Sequence, residues 1–188
     1  MNRNHDMCGS EEWRAVVRDM IIPWALGDGD LGDDVLEVGP GFGATTDVFR
    51  EQVARLTAVE IDPELAARLR DRLAGTNVEV VDGDATALDF GDERFSGATC
   101  FSMLHHVPSP ELQDRLFAEV ARVVRSGGLF VASDSVASDA LAELHEGDTY
   151  MPIEPDGLAA RLERAGFGQV EVRTNEFGWA ARARARAG

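Results

Sequence analysis

Val35-Leu36-Glu37-Val38-Gly39-Pro40-Gly41-Phe42-Gly43 is an apolar run that ends near an acid and breaks into three glycines spaced by one. The segment after it, Ala44 to Leu56, reads as a helix. A buried strand, a tight turn and a helix start follow one another here, the geometry that cradles a nucleotide-like ligand. Glycine reaches backbone angles closed to other residues and lets a ligand approach the main chain. The helix start offers unpaired N–H groups to an anionic group. On its own the stretch is ambiguous, because Gly39-x-Gly41-x-x-Ala44 also satisfies a dinucleotide-binding pattern.

The segments downstream narrow the choice. A second strand, Leu56 to Ile61, carries Glu60 near its end, placed to accept both hydroxyls of a ribose. A third, Val78 to Val81, runs into Asp82-Gly83-Asp84-Ala85. A fourth, Phe95 to Phe101, runs into Ser102-Met103-Leu104-His105-His106. A helix from Pro110 to Val124, the turn Arg125-Ser126-Gly127-Gly128 and a fifth strand, Leu129 to Ser133, complete the series. EVGPGFG, AVEIDPEL, DGDA and FSMLHH…ARVVRSGG, in that order and at these separations, resemble the class I S-adenosylmethionine (SAM) dependent methyltransferases over residues 34 to 175.

The resemblance implies a Rossmann-like, doubly wound α/β sheet, mostly parallel with an antiparallel last strand, and SAM as cofactor. It also implies contacts residue by residue. The loop Gly39, Gly41, Gly43 packs on the methionine part, with Glu37 helping to fix it. Glu60 takes the ribose hydroxyls and Ile61 lies on the adenine. Asp84 takes the adenine amino group, Ala85 contacts the ring, and backbone near Phe101 and Ser102 meets the SAM amino group. Two acids have rivals nearby, Asp62 for Glu60 and Asp82 for Asp84.

The strand–helix alternation implies a sheet with helices on both faces. A helix and lid segment with its linker at residues 1–33, the amphipathic helix running from Glu11 to Ile22 and closed by Pro23, is expected to precede a SAM-binding methyltransferase domain at 34–188. Trp13, Val16, Val17 and Met20 form its expected apolar side. Pro155 to Ala165 reads as a helix, Phe167 to Arg173 as a strand, and Phe177 to Ala187, with period-two Arg and Ala, as a last strand.

Composition bounds the partners. The 188-residue chain carries 34 acidic and 18 basic residues, a formal net charge of −16, and every basic residue is Arg. An acidic surface repels phosphate backbones, so nucleic acid is disfavoured as acceptor and a small molecule is expected. No apolar run reaches the ~18 residues of a membrane span, and the first residues lack a signal core, so a cytoplasmic protein is expected. Cys8 and Cys100 have no metal-like spacing, and Cys100 reads as a buried strand residue.

The mechanism turns on the histidines. Transfer from a sulfonium is an in-line displacement, so positioning matters most, and a protonated oxygen or nitrogen acceptor also needs a base. His105, His106 and Asp134, which ends the neighbouring strand, are the catalytic candidates, with Asp134 accepting a ring N–H. Sequential side chains are expected to diverge, so one histidine at most would face the methyl group, and no metal is expected. His145 and Tyr150 lie on the acceptor side and read first as surface loop residues. Only about 20 residues separate the fifth strand from the next helix, so the pocket is open, built by residues 5–24 and 134–153, or completed by a second copy in a homodimer. The alternatives in function are a NAD(P)-binding oxidoreductase, disfavoured by the single Tyr and absent Lys, and a SAM-binding protein without methyl transfer.

Overall fold

The computed structural model describes residues 9–176 and 178–187. Seven strands form one sheet: β1 (Asp34–Val38), β2 (Arg55–Glu60), β3 (Val78–Asp82), β4 (Phe95–Phe101), β5 (Val124–Ser135), β6 (Phe167–Thr174) and β7 (Gly178–Ala185). Their spatial order is β3-β2-β1-β4-β5-β7-β6. The first five run parallel, and β7 pairs antiparallel with both β5 and β6. This is the doubly wound sheet anticipated from the motifs.

Burial explains the order. All five residues of β1 are buried, so the strand needs partners and cover on both faces. Leu36 and Val38 join the core beneath α5 (Pro110–Val123) and α7 (Leu158–Ala165), while Val35 joins the opposite core with Phe49, Leu56 and Val131. The edge strands β3 and β6 are only partly buried and carry Glu79, Asp82, Glu171 and Arg173, charges that discourage further pairing. After β1 the chain winds outward through β2 and β3, then returns to place β4 on the other side. That reversal opens a crevice at the carboxyl ends of β1 and β4.

Four elements differ from the sequence reading, the first being β5, which takes in the expected turn Arg125–Gly128 and runs from Val124 to Ser135. The helix after the glycine loop, α3, covers only Ala44–Phe49. Asn77 ends it from afar, its Nδ2 donating to the carbonyls of Arg50 and Val53 at 2.8 Å each. The N-terminal helix does not stop at Pro23. It runs as α1 (Glu11–Val16), a π-helical segment (Val17–Ile21) and α2 (Ile22–Leu26). The wide turn, in which Ile22 N–H donates to the Val17 carbonyl, lets Pro23 sit in the first turn of α2. It also rotates the apolar face. Val17, Ile22 and Ala25 are buried, whereas Val16 and Met20, expected on that face, are 37 % and 60 % exposed. Lastly, α4 (Pro63–Arg72) is followed much later by an unanticipated short helix, α6 (Asp139–Leu144), capped by Ser138.

Cys100 is a fully buried free thiol, and burial pushes its pKa up. Cys8, residues 5–8 of the expected acceptor wall, and Phe177 lie outside the described residues. Among the described residues no helix is long and apolar enough to cross a membrane.

Candidate active site

A cavity of about 680 Å³ lies at the carboxyl ends of β1, β2 and β4. One half is built by the motifs. Gly39, Gly41 and Gly43 all have positive φ. At Gly41 an added Cβ would meet nothing within 4 Å, because it would project over open space. At Gly43 it would stand 2.6 Å from Leu69 Cδ1 of α4. Gly41 thus keeps backbone open to a ligand, and Gly43 lets α3 and α4 close behind it.

Glu60 is the clasp of this half. It is 4 % exposed; its Oε2 accepts from Gly41 N–H at 2.9 Å and its Oε1 from Asp62 N–H at 3.0 Å. The carboxylate therefore fixes the loop and still lines the cavity. Asp62, its rival in sequence, is engaged elsewhere. Its Oδ1 caps α4 by accepting from the N–H groups of Glu64 and Leu65. Ile61 lines the cavity and is 66 % exposed, an apolar side chain held in water without a protein partner to cover it. Asp84 and Ala85 line the adjacent wall, with Asp84 Oδ1 accepting from Thr86 N–H at 2.8 Å. Asp82 is not among the wall residues.

Glu37 sits one layer below. It is 2 % exposed and does not line the cavity. The Thr45 hydroxyl donates to its Oε1, and its Oε2 is buried without a partner among the described residues. Burial pushes its pKa up to about 7, against the hydrogen bond from Thr45. Ser102 turns the chain at the end of β4 with φ of +52°, and its N–H donates to the Ser133 carbonyl at 2.8 Å. Its amide is thereby spent within the sheet.

The other half of the cavity carries the histidines. Leu104–His106 form one 3-10 turn after β4. Asp134, 4 % exposed at the end of β5, accepts three hydrogen bonds. Its Oδ1 lies 2.7 Å from His105 Nδ1 and takes Ser135 N–H at 2.8 Å, and its Oδ2 takes His105 N–H at 3.1 Å. The pair is therefore locked in backbone and ring alike. The expectation that adjacent histidines diverge does not hold. The tight 3-10 turn folds the rings of His105 and His106 to 4.2 Å between centroids, tilted by 42°.

His145 is not a surface loop residue. It ends α6, is 4 % exposed, and lies 4.8 Å and 5.1 Å from the His105 and His106 rings. Tyr150 stacks on it at 4.7 Å. Met151 N–H donates to the His105 carbonyl at 2.7 Å, and Gln113 Nε2 bridges the carbonyls of Leu104 and Met151. Residues 145–151 are thus tied to the histidine turn. Trp13 and Val17 close the cavity from the N-terminal helix. Pattern reading could flag His145 only as a lone polar residue in a loop. Nothing local marks its contact with a turn some forty residues upstream.

A carboxylate clasp over a glycine loop, an exposed apolar shelf and an acid-lined wall, set at the switch point of a seven-stranded sheet, define a class I SAM-dependent methyltransferase. The profile of the family described as "Methyltransferase domain" matches residues 36–132, and the chain belongs to that family. SAM is the cofactor of that family, and the cleft offers it the Glu60 carboxylate and the open backbone at Gly41. The chain is 36 % identical over 112 residues to a phosphatidylethanolamine N-methyltransferase of Cereibacter sphaeroides, covering 57 % of this chain and 53 % of the relative. It is 46 % identical over 77 residues to a probable ribosomal RNA small subunit methyltransferase A of Methanothermobacter thermautotrophicus, covering 40 % and 27 %. It spans about half the length, or less, of these curated relatives. Among solved structures, a protein of Pyrococcus horikoshii OT3 superposes with TM-score 0.77 at 18 % identity over 94 % of this chain and 92 % of its own. A chain of the complex holding the Haloferax volcanii Trm112 methyltransferase activator superposes with TM-score 0.76 at 14 % identity over the full length of both.

Proposed function

We propose that this methyltransferase acts on a small molecule whose acceptor oxygen or nitrogen lies against His105. The observation that carries the reading is the His105–Asp134 pair, with Asp134 Oδ1 2.7 Å from the ring Nδ1, on the cavity wall beyond the cofactor half. Asp134 holds the proton on Nδ1, so Nε2 is the basic nitrogen. SAM held in the cofactor half would supply the methyl group and keep the electron pair of its carbon–sulfur bond when the acceptor's lone pair takes that carbon. The acceptor's proton passes to His105 Nε2. His106 shapes the same wall.

In the cofactor half, Glu60 would bind the ribose hydroxyls with its remaining lone pairs, and Ile61 would carry the adenine. Asp84 and Ala85 would meet the adenine edge, and the Ser102 carbonyl would meet the amino group. Gly39, Gly41 and Gly43 would border the methionine part, with Glu37 stiffening the loop from below through Thr45. Residues 9–21 act as a lid on a domain that starts at residue 34.

One observation favours a small acceptor over nucleic acid. The net charge of −16 opposes a phosphate backbone. The competing acceptor, RNA, is suggested by likeness over 77 residues to a probable ribosomal RNA small subunit methyltransferase A. Incubating the protein with labelled SAM against a metabolite extract and, separately, against total RNA tests the reading. Label in small molecules, lost with His105→Ala, is expected. Label in RNA alone would overturn the small-molecule reading.

A further inference from the structure

His105, His106 and His145 offer one ring nitrogen each within 4.8 Å of the other two. We infer that they form a binding site for a single divalent transition-metal ion on the acceptor wall of the cavity.

The side chains around the cluster prepare it for that task. The Nδ1 of His105 lies 2.7 Å from Asp134 Oδ1, and the Nδ1 of His145 lies 2.6 Å from the Leu141 carbonyl oxygen. A carbonyl only accepts, so His145 donates through Nδ1 and carries its lone pair on Nε2. The carboxylate imposes the same tautomer on His105. A ligating histidine whose other N–H is held by a carboxylate or backbone carbonyl is the recurrent outer arrangement of metal sites. His105 and His145 have it, one with a carboxylate and one with a backbone carbonyl.

Placement points the same way. His145 is 4 % exposed, and it is packed against two further imidazoles at centroid distances of 4.8 and 5.1 Å. Tetrahedral ligands at ~2.0–2.1 Å from an ion stand about 3.4 Å apart, so nitrogens lying within 4.8 Å of one another close by up to about 1.4 Å on binding, a movement that falls to His106 and His145 because Asp134 holds His105. All three line the cavity, so a fourth position would face the acceptor. An all-imidazole set selects zinc, cobalt or nickel over magnesium and calcium.

The inference rests on the acceptor reading only for what the ion would do. With His105 Nε2 on the ion, an acceptor hydroxyl bound at the fourth position would release its proton to solvent. In the metal-free protein the imidazole would take that proton itself.

Binding can be tested without any acceptor. Untagged, chelator-treated full-length protein is titrated with Co²⁺ followed by its visible d–d absorption, and with Zn²⁺ by calorimetry. One ion per chain, an intense tetrahedral-type Co²⁺ band and displacement of Co²⁺ by Zn²⁺ are expected. His106→Ala and His145→Ala should abolish the band, while unchanged affinity for S-adenosylhomocysteine shows that each variant is folded. Asp134→Asn should weaken the ion by about 10–100-fold, the effect of losing an outer partner. Because His145 is buried, Zn K-edge absorption of the wild type gives a readout independent of variants, with imidazole scattering from at least three ligands expected. No stoichiometric binding to the wild type, or binding that survives in both alanine variants, overturns the site. A protein that binds the ion yet methylates no small molecule would sink the acceptor reading and leave the metal site standing.

Discussion

The two halves of the cavity are held together differently. In the cofactor half, each functional residue is fixed by backbone close to it in the chain or one strand away. Glu60 grips the Gly41 and Asp62 amides, Asp84 its own turn, and Asp62 its own helix. In the acceptor half, contacts join residues far apart. Asp134 holds His105, Met151 bonds to the His105 carbonyl, and Gln113 braces both. A half built from local geometry stays in place whatever the acceptor. A half built from long-range side-chain contacts can be rebuilt for a new acceptor without disturbing the cofactor.

The sharpest test of this division is His105→Ala. Turnover on the acceptor should fall by about 10²–10⁴-fold, the contribution of general acid–base catalysis. SAM affinity, measured by calorimetry, should hardly change. Asp134→Asn should give a smaller loss of the same kind. If His105→Ala weakens SAM binding as much as turnover, the halves are not separable.

Glu37 sharpens the comparison from the cofactor side. Its folded pKa, raised from 4.5 to about 7 by burial, means that folding favours its protonated form. The stability this gives is fully present below about pH 4.5 and is lost as pH rises through about 7. Across that window the wild type should lose up to about 3 kcal/mol relative to Glu37→Gln, which keeps an oxygen for the Thr45 hydroxyl. Denaturant unfolding of both proteins at pH 4.5, 6 and 7.5 checks this. Parallel pH profiles would show that Glu37 stays ionised, stabilised by something other than Thr45.

Glu60→Ala should weaken SAM binding by about 1.5–3 kcal/mol, the range for a hydrogen bond to a charged group. Asp62→Ala should instead lower stability by about 1 kcal/mol, through loss of the α4 cap, and leave affinity nearly intact. The reverse pattern in a paired calorimetric and unfolding measurement would move the ribose anchor to Asp62.

Legibility in the sequence follows the same line. The succession of strands along the chain and the glycine loop could be read because apolar runs and turn residues act over a few positions. Glu60 could not be separated from Asp62 by pattern alone. In the structure both line the cavity, Asp62 capping α4 and Glu60 holding the Gly41 and Asp62 amides. The end of α3 was out of reach, since Asn77 sets it from another segment. The proximity of His145 to His105 was hidden for the same reason, and so was α6, whose six residues carry too little periodicity. The π turn at Val17–Ile21 misplaced Val16 and Met20, because a 3.6-residue period cannot anticipate a wider turn.

The smallest expected effect lies where the two halves meet, in the N-terminal helix. Its lower end is anchored: Ile22 and Ala25 are buried, and the carbonyls of Ala25 and Leu26 accept from Arg173 and Arg182 at 3.3 and 3.1 Å. Its upper end has no buried residue in Glu11–Val16, yet Trp13 and Val17 line the cavity. The π turn between them is the natural place for the upper end to move, since its wide hydrogen bonds are weaker than those of an α-helix. Few buried contacts mean easy local opening, and a ligand beneath Trp13 would reduce it. Amide exchange across residues 9–21 should therefore slow by a few-fold when S-adenosylhomocysteine is added. Residues 22–26 and strands β1 and β5 should change little. Equal protection of 9–21 and 22–26 without ligand would make the whole helix scaffold, and the acceptor half would then be as fixed as the cofactor half.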